Sequence, residues 1–185
     1  MPRGLRAVAA LGVLAVGLTA ACKGPAIPHP LTNESRYTCC NLHYERPEMS
    51  DVNYQRGTLI PLGTRIQILE VGRHSVKFEP VGHPPLTLVL KYGKDALSMD
   101  QYLDRIFLTD DPRAGLRRLA AKTQQLIAQG TVEPGMTRSQ VIMALGYPPA
   151  HRTPSLEGTT WTYWTNRWAT FQVYFDGDKV VRVER

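Results

Sequence analysis

The chain has 185 residues and carries 22 Lys and Arg against 16 Asp and Glu, a formal net charge of +6. This length suits one ordinary domain or two small ones, and the dispersed positive charge lacks the basic block that is typical of nucleic-acid binding. After residue 21 no stretch approaches the roughly 18 apolar residues that a membrane-spanning helix needs.

The N-terminus predicts an export signal. Arg3 and Arg6 precede an uncharged apolar stretch over residues 7–21, which at about 1.5 Å per residue is too short to cross a bilayer. Small residues close the stretch just before Cys22, and this combination is typical of a cleavable secretory signal. The segment resembles a bacterial lipoprotein signal, although Thr19 stands where that consensus has an aliphatic residue.

That resemblance implies a signal peptide over residues 1–21 and a lipidated Cys22 as the first mature residue. An ordinary signal peptide or an uncleaved anchor is the alternative. Lys23 stands in place of the Asp that is typical of inner-membrane retention, so we expect a lipid anchor in the outer membrane, facing the periplasm. Residues 22–36 contain three prolines and predict a flexible tether between the lipid and the folded protein.

Cys39 and Cys40 are adjacent, and His43 follows closely. In an oxidising compartment the pair predicts buried thiols or a vicinal disulfide. Thiolates and an imidazole are also zinc or copper ligands, but the spacing is unusual for a metal site. We therefore expect no metal and no cofactor beyond the covalent lipid. A thiol or metal-binding protein that uses Cys39, Cys40 and His43 remains an alternative.

Residues 37–109 predict a β-rich domain. Apolar and polar residues alternate over 65–71 and 74–79, and further strands are expected within 58–64 and 86–92. The run LIPLGTRIQILEVGRHSVKFE resembles the opening of a bacterial SH3-like barrel, which implies a small antiparallel barrel or sheet. A periplasmic lipoprotein that binds the cell wall or another ligand through this half is therefore a second alternative.

Helices are predicted after the strands. Ser98 and Gln101 have the spacing of a capping box, in which each side chain bonds the other residue's backbone N–H. An Asp-Asp-Pro start and an apolar stripe then predict one connecting helix over 110–130, which Gly130 ends.

Residues 131–185 predict a helix followed by a meander of strands. Thr137 and Gln140 form a second capping box, and Gly146 ends the helix. The strands that follow alternate apolar and polar residues: 160–165, 169–175 and 179–184. The whole chain is thus expected to be α+β, with a small antiparallel β domain followed by a helix and this helix-plus-meander unit.

The segments EPGMTRSQVIMALGYPP, WTYW, FQVYF and DGDKVVRV resemble the SmpA/OmlA, or BamE-type, domain over about residues 131–185. That resemblance implies a lipoprotein of the outer membrane that attends the β-barrel assembly machinery. Its members have no catalytic residues and bind protein partners and lipid headgroups near the first hairpin. In this sequence the corresponding residues are Trp164, Arg167 and Trp168, where Trp and Arg are also typical of interface hot spots. Alternatively, Trp164 only covers the sheet.

The sequence contains no signature of catalysis. Its five histidines fall in no recognisable motif, and it has no G-x-S-x-G, no H-E-x-x-H and no Gly-rich phosphate loop. We therefore expect a non-enzymatic accessory factor in outer-membrane protein assembly or envelope integrity. Its expected partners are assembly-machinery subunits and anionic phospholipid, and not nucleic acid.

Overall fold

The computed structural model describes Met1 and residues 28–185. Residues 2–27, which include the predicted signal peptide beyond Met1, Cys22 and the first part of the predicted tether, lie outside the described residues. Within the described part of the chain, no helix has the length and apolar character needed to cross a membrane.

The N-terminal half, residues 28–109, is mostly β. Its elements are β1 (Ser35–Thr38), β2 (Leu42–Tyr44), β3 (Glu48–Ser50), β4 (Thr58–Ile60), β5 (Arg65–Val71), β6 (Ser75–Pro80), β7 (Leu86–Val89), α1 (Met99–Ile106) and β8 (Phe107–Leu108). Six strands form one sheet in the order β3-β7-β6-β5-β1-β8, and β2 pairs with β4 in a second, two-stranded sheet. Alternate residues of β5 and β6 point into a core that α1 helps to cover: Ile66, Ile68, Val76 and Phe78.

One pairing differs from the expected antiparallel sheet. The edge strand β3 runs parallel to β7, with Met49 opposite Leu88. A parallel pair needs a long connection, and here three strands intervene along the chain between the two partners. The structure does not confirm the SH3-like part of the expectation.

The single connecting helix predicted over 110–130 is wrong. Two short helices occur instead, α2 (Arg113–Leu116) and α3 (Ala121–Ala128), because the chain at Ala120 is extended, with ψ of 145°. The break lets Leu116 and the later pair Leu126 and Ile127 pack on one core, that of the C-terminal half. Helix α3 therefore packs with the segment that follows it.

The C-terminal half, residues 121–185, confirms the predicted helix and meander. After α3 it contains α4 (Arg138–Leu145), β9 (Thr160–Asn166), β10 (Ala169–Asp176) and β11 (Lys179–Glu184), and the strands pair antiparallel in the order β11-β10-β9. Thr137 and Gln140 complete the capping box at the start of α4. Trp161 and Val173 are fully buried between this sheet and the helices.

Candidate binding site

The two halves meet at the C-terminal end of α4, where the last carbonyl groups of a helix lack partners within the helix. Side chains of the N-terminal half supply those partners. Asn41 Nδ2 donates to the carbonyl oxygens of Ala144, at 3.1 Å, and of Ile127 in α3, at 2.6 Å. Asn53 Nδ2 donates to the Leu145 carbonyl at 2.8 Å. Each amide is at most 7% exposed, so these bonds are shielded from water.

The same two asparagines also bond within their own half. Asn41 Oδ1 accepts the Leu62 N–H at 2.9 Å, and Asn53 Oδ1 accepts the His43 N–H at 2.8 Å. Gly146 passes so close that a Cβ there would lie 2.8 Å from Asn53 Nδ2. The junction is thus built from fixed polar contacts, which hold the loops of one half in a defined position against the other half.

A stack of aromatic rings crosses the junction beside these amides. The His151 ring lies between Tyr92, at 5.1 Å, and Trp164, at 6.4 Å, measured between ring centres. The Gln55 N–H also donates to the Trp164 carbonyl at 2.9 Å. Trp164 Nε1 is buried and has no hydrogen-bond partner among the described residues. Trp164 is therefore part of the junction.

Next to the stack lies an open cleft of about 620 Å³ that both halves line. The N-terminal half contributes the loop between β2 and β3, residues near Tyr54, and the segment after β7. The C-terminal half contributes the turn between β9 and β10. The cleft-lining residues used below are Tyr44, Glu45, Arg46, Glu48, Tyr54, Arg56, Lys91, Tyr92, Arg167 and Trp168.

The β9–β10 turn presents two of the three residues that the sequence singled out. Asn166 Oδ1 accepts the backbone N–H groups of Trp168, at 2.8 Å, and Ala169, at 3.1 Å, which fixes the turn. The Arg167 guanidinium lies 4.6 Å from the centre of the Trp168 ring, within cation–π range. Trp168 is 81% exposed. Arg167 and Trp168 thus form one exposed pair, and Trp164 is separated from them.

The wall of the cleft opposite this turn is the segment after β7, and the buried carboxylate of Asp51 holds it in place. Asp51 accepts the N–H groups of Lys91, Tyr92 and Gly93, the last at 2.6 Å, and so fixes the segment after β7. Tyr54 lies between this wall and the turn. Burial raises the pKa of the Tyr54 phenol, the Tyr92 phenol raises it further, and Arg167 acts in the opposite direction.

The cysteine pair and His43 do not form a metal centre in the described part of the chain. Cys39 and Cys40 are bonded to each other as a disulfide, and no group of three His, Cys, Asp or Glu side chains there is placed to hold an ion. His43 lines the cleft, burial lowers its pKa, and its Nδ1 is buried without a partner among the described residues.

Sequence reasoning missed the junction residues. Asn41, Asn53 and Gln55 lie in an irregular part of the chain, and nothing in their spacing distinguishes a buried amide from an exposed one. Tyr54 and Tyr92 were missed for the same reason. Only the exposed pair, Arg167 and Trp168, carried a usable signal, which came from the family motif and the residue types.

Residues 123–185 match a known family, described as the outer membrane protein assembly factor BamE domain. The match begins within α3, which agrees with the packing of that helix on the C-terminal core. The matched segment begins eight residues before the expected start at about residue 131. No curated protein and no solved structure has significant similarity to the chain.

Proposed function

Because residues 123–185 form a BamE domain, we propose that the chain is a non-catalytic accessory factor in the assembly of outer-membrane proteins. This family match is the observation that carries the proposal. The accessory acts by binding, through the exposed pair Arg167 and Trp168, to a subunit of the assembly machinery; anionic phospholipid headgroups are the competing ligand for the same pair. Trp and Arg are the side chains that most often dominate binding energy at interfaces.

The proposal includes a lipid anchor on Cys22. Cleavage before Cys22 and acylation of its thiol and amine would attach two or more chains, which anchor stably where one does not. The anchor would hold the domain at the periplasmic face of the outer membrane, where newly exported barrel proteins arrive. The lipoprotein-like signal, residues 1–22, supports this part of the proposal.

Co-purification tests the binding function. We expect the tagged full-length chain, extracted from outer membranes in mild detergent, to retain assembly-machinery subunits. The double variant Arg167→Glu, Trp168→Ala should reduce their recovery by about tenfold or more, because charge reversal and loss of an aromatic anchor both act at the interface. The matched control is Arg118→Glu, Val181→Ala, which changes an exposed arginine and an exposed apolar residue outside the cleft.

Two results would count against the function. One is reproducible absence of assembly subunits from the wild-type preparation. The other is equal recovery with the site variant and the control variant, which would leave the turn without a role.

A separate experiment tests the anchor. We expect Cys22→Ser to accumulate as an unprocessed precursor without lipid, because the acyl acceptor is lost. Intact-protein mass spectrometry and detergent phase partitioning measure the outcome. A variant with the wild-type mass shift and the same partitioning would refute the anchor.

A further inference from the structure

The cleft between the halves has the side-chain composition of a protein-binding surface. Three tyrosines and one tryptophan line it together with three arginines, and these residue types are enriched in the cores and hot spots of interfaces. The described half preceding the BamE domain contributes all of the tyrosines. The cleft therefore exists only where the two halves are joined.

Its charges are unbalanced. Arg56 and Glu45 already pair with each other at 2.8 Å. Arg46, Lys91 and Arg167 have no carboxylate within 4.0 Å among the described residues, and Glu48 is the remaining acid of the lining. The excess positive charge favours an anionic occupant and disfavours a basic one.

The unpaired cations come from three separate segments of the chain that line the cleft. Arg46 is in the loop between β2 and β3, Lys91 follows β7, and Arg167 is in the β9–β10 turn. An occupant with several carboxylates can pair with all three of these cations. The volume, about 620 Å³, is in the range of small-ligand pockets and suits a few residues rather than a folded surface.

Both walls are fixed in advance. Asp51 holds the segment that carries Lys91, and Asn166 holds the turn that carries Arg167 and Trp168. Walls that are already ordered lose little conformational entropy when a ligand enters.

We propose that this cleft binds a short acidic segment of a partner protein, a loop or a chain terminus. Its Asp or Glu side chains pair with Arg46, Lys91 and Arg167, and an apolar or aromatic side chain packs on Trp168 and Tyr92. This proposal rests on the proposed function in that it names the chemistry of the partner at the same turn.

Selection from a displayed library of short random peptides tests the proposal on the full-length chain, extracted from membranes in detergent. We expect the selected peptides to be rich in Asp and Glu. Fluorescence anisotropy with a synthetic selected peptide should detect binding that weakens with salt. The variant Lys91→Glu, Arg167→Glu should weaken it by about tenfold or more, whereas the control Arg118→Glu should leave it unchanged.

A charge swap keeps the test specific. The same peptide with Lys in place of its acidic residues should bind the double variant better than it binds the wild-type chain. Selected peptides without acidic excess, or equal binding to wild type and the double variant, would overturn the proposal.

Two competitors distinguish other occupants. Vesicles of anionic phospholipid and soluble peptidoglycan fragments should leave the peptide bound to the cleft. Displacement by either one, with binding that the double variant abolishes, would reassign the cleft to a headgroup or a glycan. Peptide binding without co-purification of assembly subunits would refute the proposed function and leave this proposal standing.

Discussion

At the scale of single residues, the two buried asparagines of the junction carry a large share of the polar pairing between the halves. A buried amide that uses every bonding group stabilises a structure only modestly, but its removal leaves buried backbone groups without partners. Asn41 serves two carbonyls of the C-terminal half and one N–H of its own half. Its loss therefore affects both sides of the junction.

We predict that Asn41→Ala lowers the free energy of unfolding by about 3 kcal/mol, because buried N–H and C=O groups lose their partners. Chemical denaturation monitored by tryptophan fluorescence measures the change. The control Gln125→Ala, at an exposed amide on α3, should stay within about 0.5 kcal/mol of wild type. An Asn41→Ala variant as stable as the control would show that the junction contributes little.

His43 makes stability depend on pH. Burial lowers its pKa below the value of 6.5 that it has when the chain is unfolded. As the pH falls below about 6.5, the unfolded chain binds a proton at His43 more readily than the folded chain does, so stability falls. Above that pH both states hold the imidazole neutral, and the effect vanishes.

We therefore predict that His43→Gln reduces the loss of unfolding free energy between pH 7 and pH 5, relative to wild type. The exposed His74 gives the matched control, His74→Gln, which should leave the pH dependence unchanged. Denaturant titrations at a series of pH values provide the measurement. Parallel curves for wild type and His43→Gln would contradict the assignment.

At the scale of elements, Arg138 joins the start of α4 to the meander. Its Nη1 donates to the carbonyl oxygens of Leu156, at 2.6 Å, and Gly158, at 2.9 Å, and its Nε donates to that of Gly177 at 3.1 Å. The guanidinium also lies 4.3 Å from the centre of the Phe175 ring. One side chain thus ties the helix to the segment before β9 and to the β10–β11 turn.

We predict that Arg138→Lys lowers the free energy of unfolding by about 2 kcal/mol although the charge is kept, because an ammonium cannot reproduce the planar fork of donors. Thermal and chemical denaturation measure the loss. Arg118→Lys, at an exposed arginine, is the control and should have no measurable effect. A fully tolerated Arg138→Lys would mean that positive charge alone is needed there.

Capping residues and strand alternation, which are visible in a short stretch of sequence, predicted the helix starts and the meander strands. Both capping boxes, Ser98 with Gln101 and Thr137 with Gln140, are present. The meander appears within a residue of its expected bounds, because strict alternation marks strands with one buried face. The connecting helix over 110–130 was wrong because its apolar stripe also fits two helices that pack on the same core. The β3–β7 pair depends on residues far apart in sequence, which local patterns do not record.

At the scale of the whole molecule, two apolar cores share one polar junction. The larger core lies in the N-terminal half, and the second lies between the meander, α3 and α4. Because neither half satisfies all its buried groups alone, we predict a single cooperative unfolding transition. All three tryptophans are in the C-terminal half, so their fluorescence reports on that half, whereas hydrogen exchange at β5 and β6 reports on the other.

The two denaturation midpoints should therefore coincide in the wild-type chain. In the double variant Asn41→Ala, Asn53→Ala they should separate, because the bonds that couple the halves are lost. Separate midpoints in the wild-type chain would show that the halves unfold independently.

The candidate site depends on how the two halves pack against each other, so the sequence predicted only part of it. Arg167 and Trp168 were found because they lie in one turn of the segment that matches the family. The tyrosines opposite them come from another part of the chain, more than 70 residues away for Tyr92, and only the folded junction brings them near the turn. The family resemblance also points to Trp164, which in the structure lies beside the junction, next to His151.

The junction also has a consequence for biosynthesis. The chain is made from its N-terminus, and Asn41 and Asn53 precede the carbonyls they serve in Ile127 and Leu145 by 86 and 92 residues. Until α3 and α4 have been synthesised, the side-chain amides of Asn41 and Asn53 have no carbonyl partners in the C-terminal half. A chain that ends before Ile127 lacks the C-terminal partners of both amides, so the Asn41 and Asn53 side chains stay exposed and proteases reach this part of the incomplete product more readily than in the finished one.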